Sequence, residues 1–257
     1  MKISYICCFN NEEQLKTLLI PSLEKLKKGN PIEHEPSVLL IDNRDGKYKS
    51  AASAFNSEVM AHIDELGDIL CFLHQDIAFD DDTFQQELIS VFKTDDNQIV
   101  GFSGKKKNDQ SYSNLRYYAT KEYIVNNQIT SLTEVECVDE CCFAISKILF
   151  LNLMFDEKVC YHWHLYAVEL CYHAKRDFGT KINVATSEIY HKLQDDIGLA
   201  LDTYFFKTLM LIIKKYRKDY KKVYAPCYTI FTNPILARMQ ILKTKIDTTL
   251  HHNKRFA

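Results

Sequence analysis

Short apolar runs alternate along this chain with longer stretches in which apolar residues recur every three or four positions. Ile3-Ser4-Tyr5-Ile6-Cys7-Cys8-Phe9 predicts a buried first strand, stopped by the helix-capping residues Asn10-Asn11-Glu12-Glu13. Leu15, Leu18, Leu19, Leu23 and Leu26 predict a helix bent at Pro21 and ended by Gly29-Asn30-Pro31. Val38–Ile41 is a second strand, closed by Asp42-Asn43. Ala52, Phe55, Val59 and Ile63 mark a second helix, and Ile69–Leu73 a third strand. Asp82 and Gln85 form a capping pair for a helix carrying Phe84, Leu88, Ile89 and Phe92. A fourth strand covers residues 99–102.

The pattern loosens over residues 103–133, where Lys105-Lys106-Lys107 and the Tyr112–Tyr123 region read as a loop or an acceptor-facing flap. Glu134–Asp139 then predicts a strand entering a site, and a helix begins at Ala144 and Ile145. Another helix runs from Leu165 to about Arg176, ended by Gly179, and Ile182–Ala185 is a last strand. From about Leu199 onward the chain reads as helices. This alternation predicts an α/β fold, a doubly wound and mostly parallel sheet over residues 1–198, with a helical C-terminal extension over 199–257.

Ile69–Leu73 is too short for a helix and apolar enough for a strand buried on both faces. His74-Gln75-Asp76 follows at once, and open α/β sheets bind ligands just beyond the carboxyl ends of their strands. A His and a carboxylate there can hold a divalent metal. Hydrogen bonding within a loop, or capping of the next helix, accounts for the same residue types.

Composition narrows the classes. A net charge of -2 gives no basic field for nucleic acid. The start reads directly as a strand, not as a signal peptide, and no stretch approaches the ~20 apolar residues of a membrane-spanning helix. Nine Cys, several inside apolar strands, suit reduced core thiols of a cytoplasmic protein. Only seven Gly occur, and no GxGxxG follows the first strand, which disfavours a dinucleotide-binding enzyme. Lys214, Lys215, Arg217, Lys218, Lys221 and Lys222 form a basic cluster, either a solvated helix face or a contact for an anionic membrane.

The order of these segments carries a resemblance. Ser4–Leu15, Ile41-Asp42-Asn43, Phe55-Asn56, Phe72-Leu73-His74-Gln75-Asp76, Val138-Asp139-Glu140, Phe155-Asp156-Glu157 and Trp163–Cys171 together resemble family 2 glycosyltransferases of the GT-A fold. They are most similar to a bacterial branch with His-Gln-Asp in place of Asp-x-Asp, over roughly residues 2 to 192.

The resemblance implies transfer of a sugar from a nucleoside diphosphate donor, with uridine diphosphate as the expected nucleotide, to a glycan or lipid-linked acceptor. It further implies inversion at the anomeric carbon, in surface polysaccharide biosynthesis at the inner face of the plasma membrane. It implies a divalent cation, manganese or magnesium, on Asp76 and His191. His74 stands where relatives have a first Asp, so one anionic charge is lost. The nucleotide falls to Asn10, Glu12, Asp42, Asn43, Asn56 and His74, although Asn10 and Asp42 can equally cap turns. The expected base is Glu169, with Asp139 as runner-up and His164 on the incoming loop. Ala167 occupies the position where relatives carry an acid. Trp163 can stack on a sugar or pack in the core. The competing class is a non-catalytic nucleotide- or glycan-binding protein on a degenerate transferase scaffold.

Overall fold

The computed structural model describes residues 1–28, 35–80, 82–192 and 201–255. The strands are β1 (Ile3–Phe9), β2 (Ser37–Asp42), β3 (Ile69–Leu73), β4 (Ile77–Ala78), β5 (Gln98–Gly101), β6 (Ser103–Lys105), β7 (Ser111–Ser113), β8 (Leu115–Tyr117), β9 (Thr133–Glu134), β10 (Cys137–Val138), β11 (Cys142–Ser146), β12 (Lys181–Val184), β13 (Ile189–His191), β14 (Lys222–Ala225) and β15 (Tyr228–Phe231). The helices are α1 (Glu12–Gln14), α2 (Ile20–Lys28), α3 (Ala51–Ala61), α4 (Thr83–Thr94), α5 (Lys147–Leu153), α6 (Tyr166–Phe178), α7 (Thr203–Tyr216) and α8 (Pro234–Arg255).

Seven strands form the central sheet in the order β2-β1-β3-β11-β5-β12-β9. β1 is parallel to β2 and β3, and β5 to β12, so the sheet is mostly parallel as expected. Ile69, Cys71 and Leu73 of β3 face one apolar layer, and Leu70 and Phe72 face the other. That two-sided burial is why the run contains no polar residue.

A π turn, Leu15–Leu19, joins α1 to α2 at the expected bend. The N–H of Ile20 reaches the carbonyl of Leu15, immediately ahead of Pro21, which has no N–H to offer. The wider turn leaves Leu15, Leu18, Leu19, Leu23 and Leu26 all buried. The expected stop at Gly29-Asn30-Pro31 lies outside the described residues.

Four expectations about these elements are corrected. Ala144 and Ile145 do not start a helix; they lie in β11, antiparallel to both β3 and β5. All five of its residues are buried, and a run buried on both faces has no period that separates strand from helix. The helix begins only at Lys147, where the Ser146 hydroxyl accepts from the N–H of Leu149 at 3.2 Å. The loop over residues 103–133 contains β6, β7 and β8, and the strand over 134–139 is two short pieces, β9 and β10. Asp82 precedes α4 without a side-chain cap bond, and Gln85 is buried in place of closing a capping box.

The expected boundary at residues 198/199 also lies outside the described residues. Beyond it, Phe205, Phe206, Leu209, Ile212, Ile213 and Tyr216 of α7 enter the same core as α3 and α6. The hairpin β14–β15, which the helical expectation missed, adds Val223, Ala225 and Ile230 to that core. No described helix is long and apolar enough to cross a membrane. All nine thiols are unpaired.

Candidate active site

Strand register sets the position of the site. Phe9 pairs with Asp42, and Cys7 with Leu73, so β1, β2 and β3 end side by side. The residues that follow face a cleft of about 970 Å³. Asn10, Asn43, His74, Gln75 and Asp76 line it from the strand ends, and Tyr161, His162, Trp163, Tyr166 and Tyr204 line it from the segment ahead of α6 and from the starts of α6 and α7.

A second register brings the distant His191 to this edge. β13 pairs antiparallel with β4, setting His191 opposite Ile77, and the N–H of Lys192 donates to the carbonyl of Asp76 at 2.9 Å. His191 Nε2 then lies 3.3 Å from Asp76 Oδ1. Ligand atoms of His74, Asp76 and His191 all lie within 4.8 Å of one another.

The electrostatics of the three are linked. Burial pushes the His74 pKa below its ordinary value, despite the nearby charge of Asp76, which favours the neutral imidazole that a metal requires. Burial also opposes charge on Asp76 and on His191, but each offsets the other. Asp76 titrates below the usual carboxylate range, and His191, with Asp139 also contributing, above the usual histidine range. Two imidazoles and a carboxylate are a donor set that fits a divalent transition metal, and imidazole favours manganese over magnesium.

Gln75 has a role that its position between two ligands concealed. Its Oε1 accepts from the N–H groups of Asn10 and Asn11 at 3.0 and 2.9 Å, and its Nε2 donates to Asn10 Oδ1 at 2.9 Å. The middle residue of the triplet thus ties the end of β3 to the end of β1. His74 Nε2 lies 3.3 Å from the hydroxyl of Tyr166, at the start of α6.

The residues expected to bind nucleotide divide into three groups. Asn10, Asn43 and His74 line the cleft. Asn43 also fixes the loop after β2, accepting from the N–H of Tyr48 at 2.7 Å and donating to its carbonyl at 3.1 Å. Glu12 and Asp42 instead hold Arg44, which itself lines the cleft. Asp42 takes a two-pronged contact from the guanidinium, at 3.0 and 2.6 Å, and Glu12 accepts from Nη1. Arg44 carried no signal in sequence beyond its place after the strand end. Asn56 is bonded elsewhere: its amide donates to the Phe155 carbonyl and to Glu157, both at 2.9 Å, and its oxygen accepts from the Phe155 N–H at 3.0 Å. These bonds tie α3 to the segment ahead of α6.

The expected base, Glu169, lies away from the cleft. Glu169 is 0 % exposed, and its Oε1 accepts from Lys215 Nζ at 2.6 Å and from the Tyr216 hydroxyl at 2.7 Å. Lys215 reaches Asp156 as well, at 2.7 Å. Glu169 therefore joins α6 to α7 inside the protein and does not line the cleft. His164 lies 3.4 Å from Asp202 at the start of α7. Asp139 is half-buried, and its Oδ1 accepts from the Cys141 N–H at 2.9 Å, beside the triad. Besides His74, His162 lines the cleft, stacked on Tyr204 at 3.9 Å between centroids. Burial and the neighbouring His164 lower its pKa. Trp163 lines the cleft while also packing against the core.

No curated protein sequence matches this chain. Solved structures do. GalNAc-T7 with UDP, GalNAc and Mn2+ is similar with a TM-score of 0.59 and 12% identity, over 82% of this chain and 47% of that one. The mannosyltransferase PcManGT from Pyrobaculum calidifontis, in complex with GDP-Man and Mn2+, is similar with a TM-score of 0.53 and 13% identity, over 85% of this chain and 65% of that one. The chain thus spans about half the length of the first and about two thirds of the second. At such identities the likeness shows the fold, which is GT-A. A family model described as glycosyltransferase-like matches residues 4–216, and the chain belongs to that family.

Proposed function

We propose that this protein transfers a sugar from a nucleoside diphosphate donor to a hydroxyl of a glycan or lipid-linked acceptor. The observation that carries the proposal is the convergence of His74, Asp76 and His191 at the strand-end edge of a cleft large enough for a nucleotide sugar. His74, Asp76 and His191 would hold a divalent cation, which supplies a Lewis acid for the charge that grows on the departing diphosphate.

The remaining work falls to the chain's own side chains. Asn10 and Arg44 stand where the first two strands end and would position the nucleotide. The aromatic wall of Tyr161, Trp163 and Tyr204 would hold the sugar and exclude water. A proton must leave the acceptor hydroxyl as its oxygen attacks the anomeric carbon. We assign that proton to His162, because it lines the cleft and its lowered pKa keeps it neutral near pH 7. Asp139, whose charge acts on His191 and His74, would add negative charge beside the cation that they and Asp76 would hold. A single displacement of this kind inverts the anomeric carbon. A uridine diphosphate donor, and surface polysaccharide assembly on the cytoplasmic side of a bacterial membrane, are the setting that the family resemblance suggests.

The test is a panel of sugar nucleotides incubated with the protein, with and without manganese, with release of nucleoside diphosphate followed. We expect manganese-dependent release from one donor, reduced about 10²-fold or more in His162→Ala. Nucleotide binding with no release from any donor, even with glycan acceptors added, would favour the non-catalytic binding protein.

A further inference from the structure

The C-terminal helix α8 packs one face inward and leaves an apolar face uncovered. At about 3.6 residues per turn, Ala237, Gln240, Ile241 and Thr244 share a face. That face packs inward: Ala237 is fully buried, Gln240 accepts from the Phe231 N–H at 3.0 Å, and Thr244 meets the Tyr228 hydroxyl at 2.8 Å. Ile235, Met239, Leu242 and Ile246 fall on the opposite face and are 70, 63, 60 and 49% exposed. Four large apolar side chains in one line on the solvent side of a helix are more than scattered surface residues explain.

Charge decides between the two occupants that such a stripe fits. The spacing of four, three and four also matches a two-stranded coiled-coil seam. Exposed Arg238 and Lys243 flank the stripe on its two sides, however. In either orientation, a second copy of the helix would set these cations against one another. An anionic surface would be complementary to them. The same sign continues past the end of the stripe. A depression of about 590 Å³ is lined by Arg217, Lys218 and Lys221 together with Phe231 and Pro234, and by one acid, Asp219, which lies 4.0 Å from Arg176, so an exposed turn of net positive charge after α7 adjoins the start of α8. The basic run is thus divided by direction: Lys215 turns inward to Glu169 and Asp156, while Arg217, Lys218 and Lys221 remain outside.

We propose that α8 and this basic turn dock on an anionic lipid surface. The stripe enters the acyl boundary with the helix lying along the interface, and the flanking cations meet the headgroups. The proposal is independent of the reaction catalysed in the cleft.

Co-sedimentation of the full chain with vesicles of equimolar phosphatidylcholine and phosphatidylglycerol, against vesicles of phosphatidylcholine alone, tests it. Binding is expected on the anionic vesicles, weaker on the neutral ones, and falling as salt is raised. Leu242→Glu, at an exposed position where folding can be verified by circular dichroism, should weaken binding about tenfold or more. Reversal of Arg217, Lys218 and Lys221 to Glu should weaken it by about fivefold or more for each residue changed. Equal binding to both vesicles, no binding to either, or binding untouched by both variants would overturn the proposal. So would a concentration-dependent dimer in sedimentation equilibrium that Leu242→Glu dissociates, since a second copy would then cover the stripe.

Discussion

Asp76 and Glu169 each keep a carboxylate largely out of solvent against nitrogen partners, yet the fold gives them different access. Asp76 follows the end of β3, stays 22% exposed, and faces a cleft with His74 and His191 beside it. Glu169 is one turn into α6 and is sealed by Lys215 and Tyr216 from α7. A residue beyond a parallel strand end borders open space, because neighbouring strands stop at the same level. A residue on the buried face of a helix borders another helix. The carboxylate that suits chemistry is the one that a ligand can approach, and the one that suits architecture is the one that a second helix can reach.

Exchanging the two roles breaks this comparison if it is mistaken. Asp76→Asn should lower donor turnover by on the order of 10²–10³, the effect of losing several kcal/mol of charge stabilisation, with a smaller loss of stability than Glu169→Gln shows. Glu169→Gln should do the reverse. It leaves Lys215 without its buried counter-charge, and breaking such a pair costs about 3 kcal/mol, the lower end of the usual range because Lys215 is partly exposed and keeps Asp156. Urea unfolding should show that loss, while turnover per folded molecule stays within about threefold of wild type on the scale of an acid outside the reaction. A turnover loss in Glu169→Gln as large as that in Asp76→Asn would return Glu169 to the chemistry.

A smaller effect of pH sharpens the same contrast. In the metal-free protein the His191 pKa lies above its ordinary 6.5 and that of Asp76 below its ordinary 3.8. The stabilisation from His191 is therefore fully present below pH 6.5 and is lost as pH rises through its raised pKa. That from Asp76 is present above pH 3.8 and is lost as pH falls through its lowered pKa. Manganese must displace the His191 proton, so metal affinity should increase over the pH range in which metal-free stability declines. Thermal melts with and without manganese from pH 5 to pH 9 (about two units either side of neutrality, spanning the histidine range) should diverge as pH rises. Parallel curves would remove His191 from the metal set.

Much of this was legible in the sequence, for identifiable reasons. Ile69–Leu73 announced a central strand because burial on both faces admits no polar residue, and His74-Gln75-Asp76 marked its end. The same property hid β11: Ala144 and Ile145 lie in a run with no usable period, and its antiparallel insertion between β3 and β5 depends on long-range pairing. Asn56 and Glu169 had the residue types of a site, but their partners, Phe155 and Lys215, are 99 and 46 positions away. Gln75 bridges to Asn10 across 65 positions, so its role also emerged only when β1 and β3 were set side by side.

The most direct measurement is calorimetric titration of a nucleoside diphosphate, with uridine diphosphate as the first probe, into the full chain in manganese and then in chelator. Binding in manganese should weaken at least about tenfold in chelator, as expected when a metal ligand to the diphosphate is withdrawn, and Asp76→Asn should bind weakly in both conditions. Equal affinity in manganese, in chelator and in Asp76→Asn would contradict the assignment of His74, Asp76 and His191 as the metal-bearing edge of the cleft.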